Sequence, residues 1–336
     1  MSRFVKGLRP PIDKSSPETT KLIIHAARPA TKWRGVSRLP RLPVAALLIL
    51  IPASIVVRTQ TDFTASVDLV PMDVCITDRS GRPAQVRPDE LIVLDNGISQ
   101  QIALFSPGDR LPLAVTLLVD GSRSMNRGLL DQARAGAATL LEQLPDDSLV
   151  EVMSFNDHAA ILYPMGTDRR AAASAISEVM PIGGTSLYEA VLVAIRRQQH
   201  AERTRSITYR EVIVVLTDGE DTWRRVDFDV VLDEARRSSV LVYPVVLPPH
   251  DAPDSGTPWQ MMQLALDTGG KTVAAHHAGD LTKMYQQIAA DVRNLYRVGY
   301  VPSPLVRDGA WHQVQVRATR DDVVVRTRSG YYASAR

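Results

Sequence analysis

Residues Leu111 to Met125, LPLAVTLLVDGSRSM, decide the fold that the sequence predicts. The largely apolar run Leu113 to Val119 ends in a carboxylate and two small hydroxyl residues, Asp120, Ser122 and Ser124. A strand that is apolar on both faces is typical of the interior of a parallel sheet, because crossover helices cover both faces there. The polar cluster then lies at the carboxyl end of the strand, where open α/β sheets build ligand sites.

Predicted strands and helices alternate after this stretch. Leu149 to Phe155 and Val212 to Leu216 are apolar, β-branched runs, whereas Leu129 to Leu144 and Leu281 to Tyr296 have helical periodicity. Such alternation predicts right-handed crossovers and helices on both faces of a mostly parallel sheet. We therefore expect an α/β domain at 111–296 with a Rossmann-like, doubly wound sheet.

Short β segments flank this domain on both sides. Leu91 to Leu94 runs into Asp95-Asn96-Gly97, a strong hairpin signal, and we expect Gln101 to Phe105 to be the returning strand. Residues 65–108 are thus predicted to form a small β module. Residues 297–336 also alternate, and we expect their strands to pair with the β module.

The amino-terminal segment has the features of an export leader. Residues 1–41 hold ten Lys and Arg against two acidic residues, a net charge of +8 that leaves −6 for the rest of the chain. Residues 42–57 are apolar apart from two prolines and a serine. This is typical of a secretion-signal core or a short membrane anchor, with a buried core helix as the alternative. We expect the rest of the chain to be extracytoplasmic, in the periplasm or at the cell surface.

Composition excludes several classes of function. The chain has 336 residues, 45% of them hydrophobic, which is enough for a full core. Its basic residues concentrate in the leader and are not interleaved with aromatic residues, so we expect no nucleic-acid partner. Cys75 is the only cysteine, so no intramolecular disulfide can form. No histidine lies in a zinc-binding pattern.

Oxygen-bearing side chains recur in three loops at the carboxyl edge of the predicted sheet. The loops are Asp120-x-Ser122-x-Ser124, Gly183-Gly184-Thr185-Ser186 and Thr217-Asp218-Gly219. Because these loops meet at one edge, we expect two carboxylates and three hydroxyls to converge, and hard divalent cations take such oxygen ligands. Mg²⁺ is the expected ion, with Mn²⁺ and Ca²⁺ as alternatives. The predicted metal-binding residues are Asp120, Ser122, Ser124, Thr185 and Asp218.

Hydroxyl ligands leave the charge of a divalent cation uncompensated. The ion then favours an additional anionic oxygen, and the open position lies at the rim of the protein. We expect a protein partner to supply this oxygen from a Glu or Asp side chain. The sequence therefore favours a module for adhesion or complex assembly over an enzyme, with the membrane as a further partner if 42–57 is retained.

The motif Asp120-Gly121-Ser122-Arg123-Ser124-Met125, with Thr185 in GGTSLYEA and Asp218 in LTDGED, resembles the metal-ion-dependent adhesion site of von Willebrand factor A domains. The resemblance covers roughly 111–296. The β module and the ending SGYY at 329–332 are similar to those of a bacterial VWFA-related group. The resemblance implies that Ser122 and Ser124 bind metal directly, that Thr185 is a switchable ligand, and that Asp120 and Asp218 act largely through water.

Two further residues are candidates for contact with a partner. Arg123 stands where the family frequently has a small residue, and it places a cation beside the ligand positions. Glu220 extends the acidic loop after Asp218. Glu220 and the neighbouring Asp221 could tune affinity, but a solvated loop charge is the simpler expectation for both.

Two other functions stay open at the level of sequence. One is a structural envelope protein whose metal site only stabilises the fold. The other is a metal-assisted hydrolase or phosphotransferase that uses the same edge of the sheet. No G-x-S-x-G elbow surrounds Ser122 and no sequence motif pairs it with a histidine base, which argues against the enzyme.

Overall fold

The chain combines an α/β domain with two antiparallel sheets. The computed structural model describes residues 68–106, 111–125, 127–218, 221–247, 258–274 and 280–335. The strands are β1 (Val70–Asp78), β2 (Leu91–Asp95), β3 (Ile98–Gln100), β4 (Ile102–Ser106), β5 (Leu113–Asp120), β6 (Leu149–Phe155), β7 (Ala159–Gly166), β8 (Arg210–Thr217), β9 (Leu241–Val246), β10 (Val273–Ala274), β11 (Leu295–Tyr300), β12 (Trp311–Ala318), β13 (Val323–Thr327) and β14 (Gly330–Tyr332). The helices are α1 (Arg127–Gln143), α2 (Arg169–Ser177), α3 (Leu187–Thr204), α4 (Phe228–Arg237), α5 (Trp259–Thr268) and α6 (Leu281–Arg293).

The α/β domain is built on a six-stranded sheet in the order β10-β9-β8-β5-β6-β7. All neighbouring strands are parallel except β6 and the edge strand β7, which are antiparallel. Every residue of β5 and of β8 is buried, because α1, α2 and α6 cover one face while α3, α4 and α5 cover the other. The predicted fold class, a doubly wound and mostly parallel α/β sheet, is confirmed.

The other strands form two four-stranded sheets that share one apolar core. Their orders are β13-β1-β11-β4 and β14-β12-β2-β3, with all neighbours antiparallel. We refer to this pair as the β sandwich. Val74 and Ile76 of β1 meet Val93 of β2 and Val316 of β12 in the core between the sheets. The β sandwich therefore combines strands from before and after the α/β domain.

Two local predictions need correction. The strand that returns from the turn at Asn96 and Gly97 is β3, whereas β4 crosses to the other sheet and pairs with β11. The last helix ends at Arg293 instead of Tyr296, because Leu295 already belongs to β11, whose alternate residues Val298 and Tyr300 are buried in the β sandwich.

The α/β domain is inserted between two adjacent strands of the β sandwich. The chain leaves after β4 and returns through α6 into β11, the neighbour of β4. Arginine–carboxylate contacts join the two parts. Arg210, the buried first residue of β8, lies 3.0 Å from Asp73 of β1. Arg326 of β13 lies 2.7 Å from Asp291 of α6.

No helix in the described part of the chain has both the length and the apolar character of a transmembrane span. The predicted leader, 1–41, and the predicted signal core or anchor, 42–57, lie outside the described residues.

Candidate metal centre

The candidate site lies where the strand order of the parallel sheet reverses. From β5 the chain proceeds to β6 on one side, and it later crosses over to β8 on the other side. Asp120 is the last residue of β5, while Thr217 ends β8 and Asp218 follows it. Open α/β sheets place ligands in the crevice at such a switch point, so both aspartates stand at a favoured position.

Asp120 is buried and held by two hydrogen bonds. Its Oδ1 accepts from the backbone N–H of Ser122 at 2.8 Å, and its Oδ2 accepts from the hydroxyl of Thr217 at 2.7 Å. Burial, reinforced by the nearby carboxylate of Asp218, raises the pKa of Asp120 to about 7. Within the described residues, neither aspartate forms an ion pair with a lysine, arginine or histidine.

The two serines of the first loop lie side by side. The Oγ atoms of Ser122 and Ser124 are 3.0 Å apart, with Ser122 buried and Ser124 exposed. Gly121 lets the loop approach its neighbours, since a Cβ at this position would lie 3.0 Å from a side-chain carbon of Val179. The loop therefore presents one buried and one exposed hydroxyl, and the backbone N–H of Ser122 connects it to the carboxylate of Asp120.

Thr185 lies in a loop that is fixed from two sides. Gly183 has a φ of +80°, which favours glycine, and a Cβ there would lie 2.8 Å from the carboxylate oxygens of Asp157. Asp157 in turn accepts from the backbone N–H of Gly184 at 2.7 Å. The N–H of Thr185 donates to the hydroxyl of Thr222 at 2.8 Å, and the N–H of Thr222 donates back to Thr185 O at 2.9 Å. The Thr185 loop is thus tied to the segment that follows Asp218.

Four residues of this framework were not predicted as site residues. Thr217 orients Asp120, while Asp157 and Thr222 position the loop of Thr185. Asp221 accepts from the backbone N–H groups of Tyr188 and Arg224, each at 2.8 Å, so the expected solvated charge is wrong for this residue. Aspartate is a common turn residue, and this signal is present in the sequence.

The candidate partner contacts differ in their placement. Arg123 is exposed on the first loop, and its backbone N–H donates to Gly183 O at 3.2 Å. Glu220 lies outside the described residues. Two large apolar side chains are also exposed beside the loops, Ile182 at 59% and Trp223 at 47%. The Trp223 ring lies under the guanidinium of Arg225, 4.6 Å from the ring centre.

The chemistry of this donor set fits a hard cation. Its donors are carboxylate and hydroxyl oxygens, and the carboxylate of Asp120 is buried beside that of Asp218 without a cationic partner in the described part of the chain. No group of three or more His, Cys, Asp or Glu side chains that could hold a metal occurs among the described residues. A metal at this edge would therefore depend on the hydroxyls of Ser122, Ser124 and Thr185, as Mg²⁺ with its preference for oxygen and water allows.

Parts of this chain are similar to known sequences. Residues 115–220 match the family model of the von Willebrand factor type A domain. An uncharacterized protein of Synechocystis sp. is 31% identical over 114 residues, which are 33% of this chain and 26% of that protein. Integrin alpha-M of Mus musculus is 27% identical over 134 residues, which are 38% of this chain and 12% of the integrin. The chain thus spans about a quarter and an eighth of these two relatives.

Two solved structures are also similar to this chain. A von Willebrand factor type A protein from Catenulispora acidiphila has a TM-score of 0.49 and 13% identity, covering 81% of this chain and 76% of that chain. Proximal thread matrix protein 1 from the mussel byssus, with a zinc-occupied MIDAS motif, has a TM-score of 0.46 and 14% identity, covering 59% of this chain and 49% of that chain.

The family match extends over the centre of the doubly wound sheet. It runs from the third residue of β5 to the segment after β8, and it contains Asp120, Thr185 and Asp218. The α/β domain of this chain is therefore a von Willebrand factor type A domain.

Proposed function

We propose that this chain is a protein-binding module for adhesion or complex assembly that binds its partner through a divalent cation. The observation that carries the proposal is the pair of buried carboxylates, Asp120 and Asp218, at the switch point of the sheet without a cationic partner among the described residues. A buried charge needs a partner, and a bound cation meets this need. Integrin alpha-M, a relative over 134 residues, supports the adhesive reading.

Five residues are proposed to hold the cation. Ser122, Ser124 and Thr185 supply neutral hydroxyl oxygens, while Asp120 and Asp218 orient the water around the ion. A bound Mg²⁺, or Mn²⁺ or Ca²⁺ in its place, supplies an electrophilic position that accepts an anionic oxygen. Because Ser124 is exposed, this position faces the surface, where the Glu or Asp side chain of a partner can reach it.

The exposed surroundings of the loops suit a partner that carries more than a carboxylate. Arg123 adds positive charge beside the site, and Ile182 and Trp223 offer apolar area that is otherwise in contact with water. Exposed aromatic and arginine side chains are enriched at protein interfaces. We include Glu220 as a further contact residue. An acidic segment flanked by apolar residues is the partner that this surface favours.

A binding role is favoured over an enzymatic one. Ser122 Oγ contacts Ser124 Oγ, and no hydrogen bond between Ser122 and a histidine is present in the described part of the chain, whereas a serine hydrolase needs such a base. Von Willebrand factor type A domains are generally interaction modules. We further propose that the module acts outside the cytoplasm, either secreted or anchored by 42–57.

The proposal can be tested by selecting peptides from a random display library on the immobilised chain with Mg²⁺. We expect the enriched peptides to carry an Asp or Glu, because the cation needs an anionic oxygen. Bound peptides should be released by a chelator. Replacing that acidic residue by Asn or Gln should abolish binding, as measured by titration calorimetry.

The matched control is the Asp218→Ala chain under the same conditions. Peptides that bind it as well as the wild type would show that the surface binds without the metal site, and this would contradict the proposal. A site that only stabilises the fold predicts metal-dependent stability but no enrichment of acidic peptides. The selection therefore distinguishes the leading function from the structural alternative.

A further inference from the structure

A cleft of about 520 Å³ lies where the α/β domain meets the β sandwich, away from the candidate metal centre. It is bordered by the end of α4, the start of β1, the strand β14 and the segment after β11. Its lining includes three arginines and several aliphatic side chains. Small-molecule sites of proteins have volumes of roughly 300–1,000 Å³, so the cleft has the size of a ligand site.

Three arginines line the cleft, and two of them are already paired. Arg236 donates to Asp267 at 2.7 Å, and Arg237 donates to Asp233 at 2.9 Å. Arg328 forms no ion pair within the described residues. Its Nη2 donates to the backbone oxygen of Pro71 at 3.0 Å, while its Nε is buried without a hydrogen-bond partner.

The carboxylates near Arg328 have other partners. Asp73 lies 3.0 Å from Arg210 and 3.2 Å from Arg297. Asp68, which lines the cleft, pairs with Arg307. Burial, together with the nearby positive charge of Arg297, lowers the pKa of Arg328. This wall of the cleft therefore has a positive charge that a ligand can neutralise.

Aliphatic side chains of the cleft lining are in contact with water. Leu305 is 47% exposed and Val306 is 40% exposed, and Leu69 and Pro302 also line the cleft. A ligand that covers these side chains gains roughly 25 cal/mol for each Å² of apolar surface removed from water. The lining of this one cleft thus combines a guanidinium without an ion-pair partner among the described residues and an exposed apolar surface.

We propose that this cleft binds an organic carboxylate with an apolar body, whose head group pairs with Arg328. The planar guanidinium matches a carboxylate with two parallel hydrogen bonds. A monoanion suits the site, since Arg236 and Arg237 already have aspartate partners and one guanidinium is left. The carboxylate has two possible sources, a free aliphatic acid and the carboxyl terminus of a polypeptide.

The experiment is a calorimetric titration of the full chain, in the presence of a chelator, with two probes. The first is octanoate, and the second is the tripeptide acetyl-Leu-Val-Leu with a free carboxyl group. Octanamide and the amidated tripeptide are the uncharged controls. We expect one acid to bind and its amide to bind at least about tenfold more weakly, because the amide cannot form the charged pair. The acid that binds more tightly identifies the source.

Substitutions assign the binding to the cleft. Arg328→Gln should weaken binding by about 10- to 100-fold, whereas Arg317→Gln, the same change at an exposed position of β12, should leave it unchanged. Leu305→Glu places a negative charge on an exposed wall residue, and it should weaken binding even if Arg328→Gln does not fold. The proposal is overturned if neither acid binds, if the amides bind equally well, or if Leu305→Glu binds like the wild type. Because a chelator is present throughout, failure here is separate from failure of the metal site.

Discussion

Buried carboxylates have different partners at the two ends of the parallel sheet. At the amino end, Asp73 of the β sandwich lies between the guanidinium groups of Arg210 and Arg297. At the carboxyl end, Asp120 lies near Asp218 and accepts hydrogen bonds from the Ser122 backbone N–H and the Thr217 hydroxyl. No cationic side chain pairs with either aspartate in the described part of the chain. Both ends bury negative charge, but protein cations neutralise it at only one of them.

This difference separates a structural role at the amino end from the proposed binding role at the carboxyl end of one sheet. Arginine pairs at the amino end join the inserted domain to the β sandwich with partners that the chain itself provides. The carboxyl end has positions that an external cation can occupy. Perturbed acids in a crevice, with no partner of their own, mark candidate functional sites.

The largest expected effect comes from removing the buried carboxylate at the amino end of the sheet, where arginines are its partners. Asp73→Ala removes the carboxylate that Arg210 and Arg297 share, and Arg210 is buried. Removing one partner of a buried ion pair typically costs 3–5 kcal/mol, so we expect the free energy of unfolding to fall by about 3–5 kcal/mol. Denaturant unfolding followed by circular dichroism measures this change.

The control is Asp322→Ala, which removes an exposed partner of Arg320 on the same β sandwich. Surface ion pairs contribute little to stability, so the free energy of unfolding of this variant should be close to that of the wild type. If the two variants have the same free energy of unfolding, the amino end does not depend on its buried ion pairs.

The next effect is stabilisation by metal at the carboxyl end of the sheet, where Asp120 and Asp218 lie. Thermal unfolding in a chelator and then in Mg²⁺, Mn²⁺ or Ca²⁺ should show stabilisation by metal of about 2.7 kcal/mol at a hundredfold excess over Kd. Asp120→Ala should abolish this stabilisation, whereas Asp322→Ala should retain it. If none of the three metals changes the thermal stability of the wild type, the proposed distinction between the two ends is wrong.

The smallest effect is a pH dependence of stability. It tests Glu211, a buried acid at the amino end of the sheet that lacks a hydrogen-bonded cationic partner in the described part of the chain. Glu211, the second residue of β8, is buried, and its carboxylate lies 3.9 Å from the guanidinium of Arg205. Burial, together with the negative charge of Glu202, raises the pKa of Glu211 to about 7. The folded state therefore binds the proton of Glu211 more tightly than the unfolded state does. Its contribution to stability is present at low pH and is lost as the pH rises from about 4.5 through 7.

Glu211→Gln should therefore gain stability over the wild type by about 1–2 kcal/mol at pH 8, after allowance for partial solvent screening. The gain should disappear at pH 4. Unfolding is measured in a chelator at both pH values, with Glu142→Gln on the exposed side of α1 as the control. A gain that is equal at both pH values would point to packing instead of titration.

Local features of the fold could be predicted from the sequence. The apolar run after Pro112 gives a strand whose residues are all buried, and alternating periods give a doubly wound sheet. The turn at Asn96 and Gly97 could also be predicted, because asparagine and glycine tolerate the positive φ that a tight hairpin requires. Both residues have a positive φ in the structure. These features depend on residues that are close in the sequence.

Contacts between distant residues could not be predicted in this way. Asp73 meets Arg210 across 137 positions and Arg297 across 224, and no local pattern specifies either pair. The sheet that β4 joins is likewise decided by β11, which follows the whole α/β domain. Of the site, the five proposed metal residues came from a motif, whereas Thr217, Asp157 and Thr222 support them through contacts that only the fold creates.

The insertion between β4 and β11 makes the α/β domain transferable as a cassette. Ser106 and Arg297 face each other in the antiparallel pair, and such partners are about 5 Å apart between Cα atoms. For the β sandwich, the whole domain takes the place of a hairpin loop. A short turn could close the same gap, and the domain could be grafted into another hairpin with the edge that carries Asp120 and Asp218 pointing away from the host. Recombination can thus exchange the inserted domain without redesigning the framework that carries it.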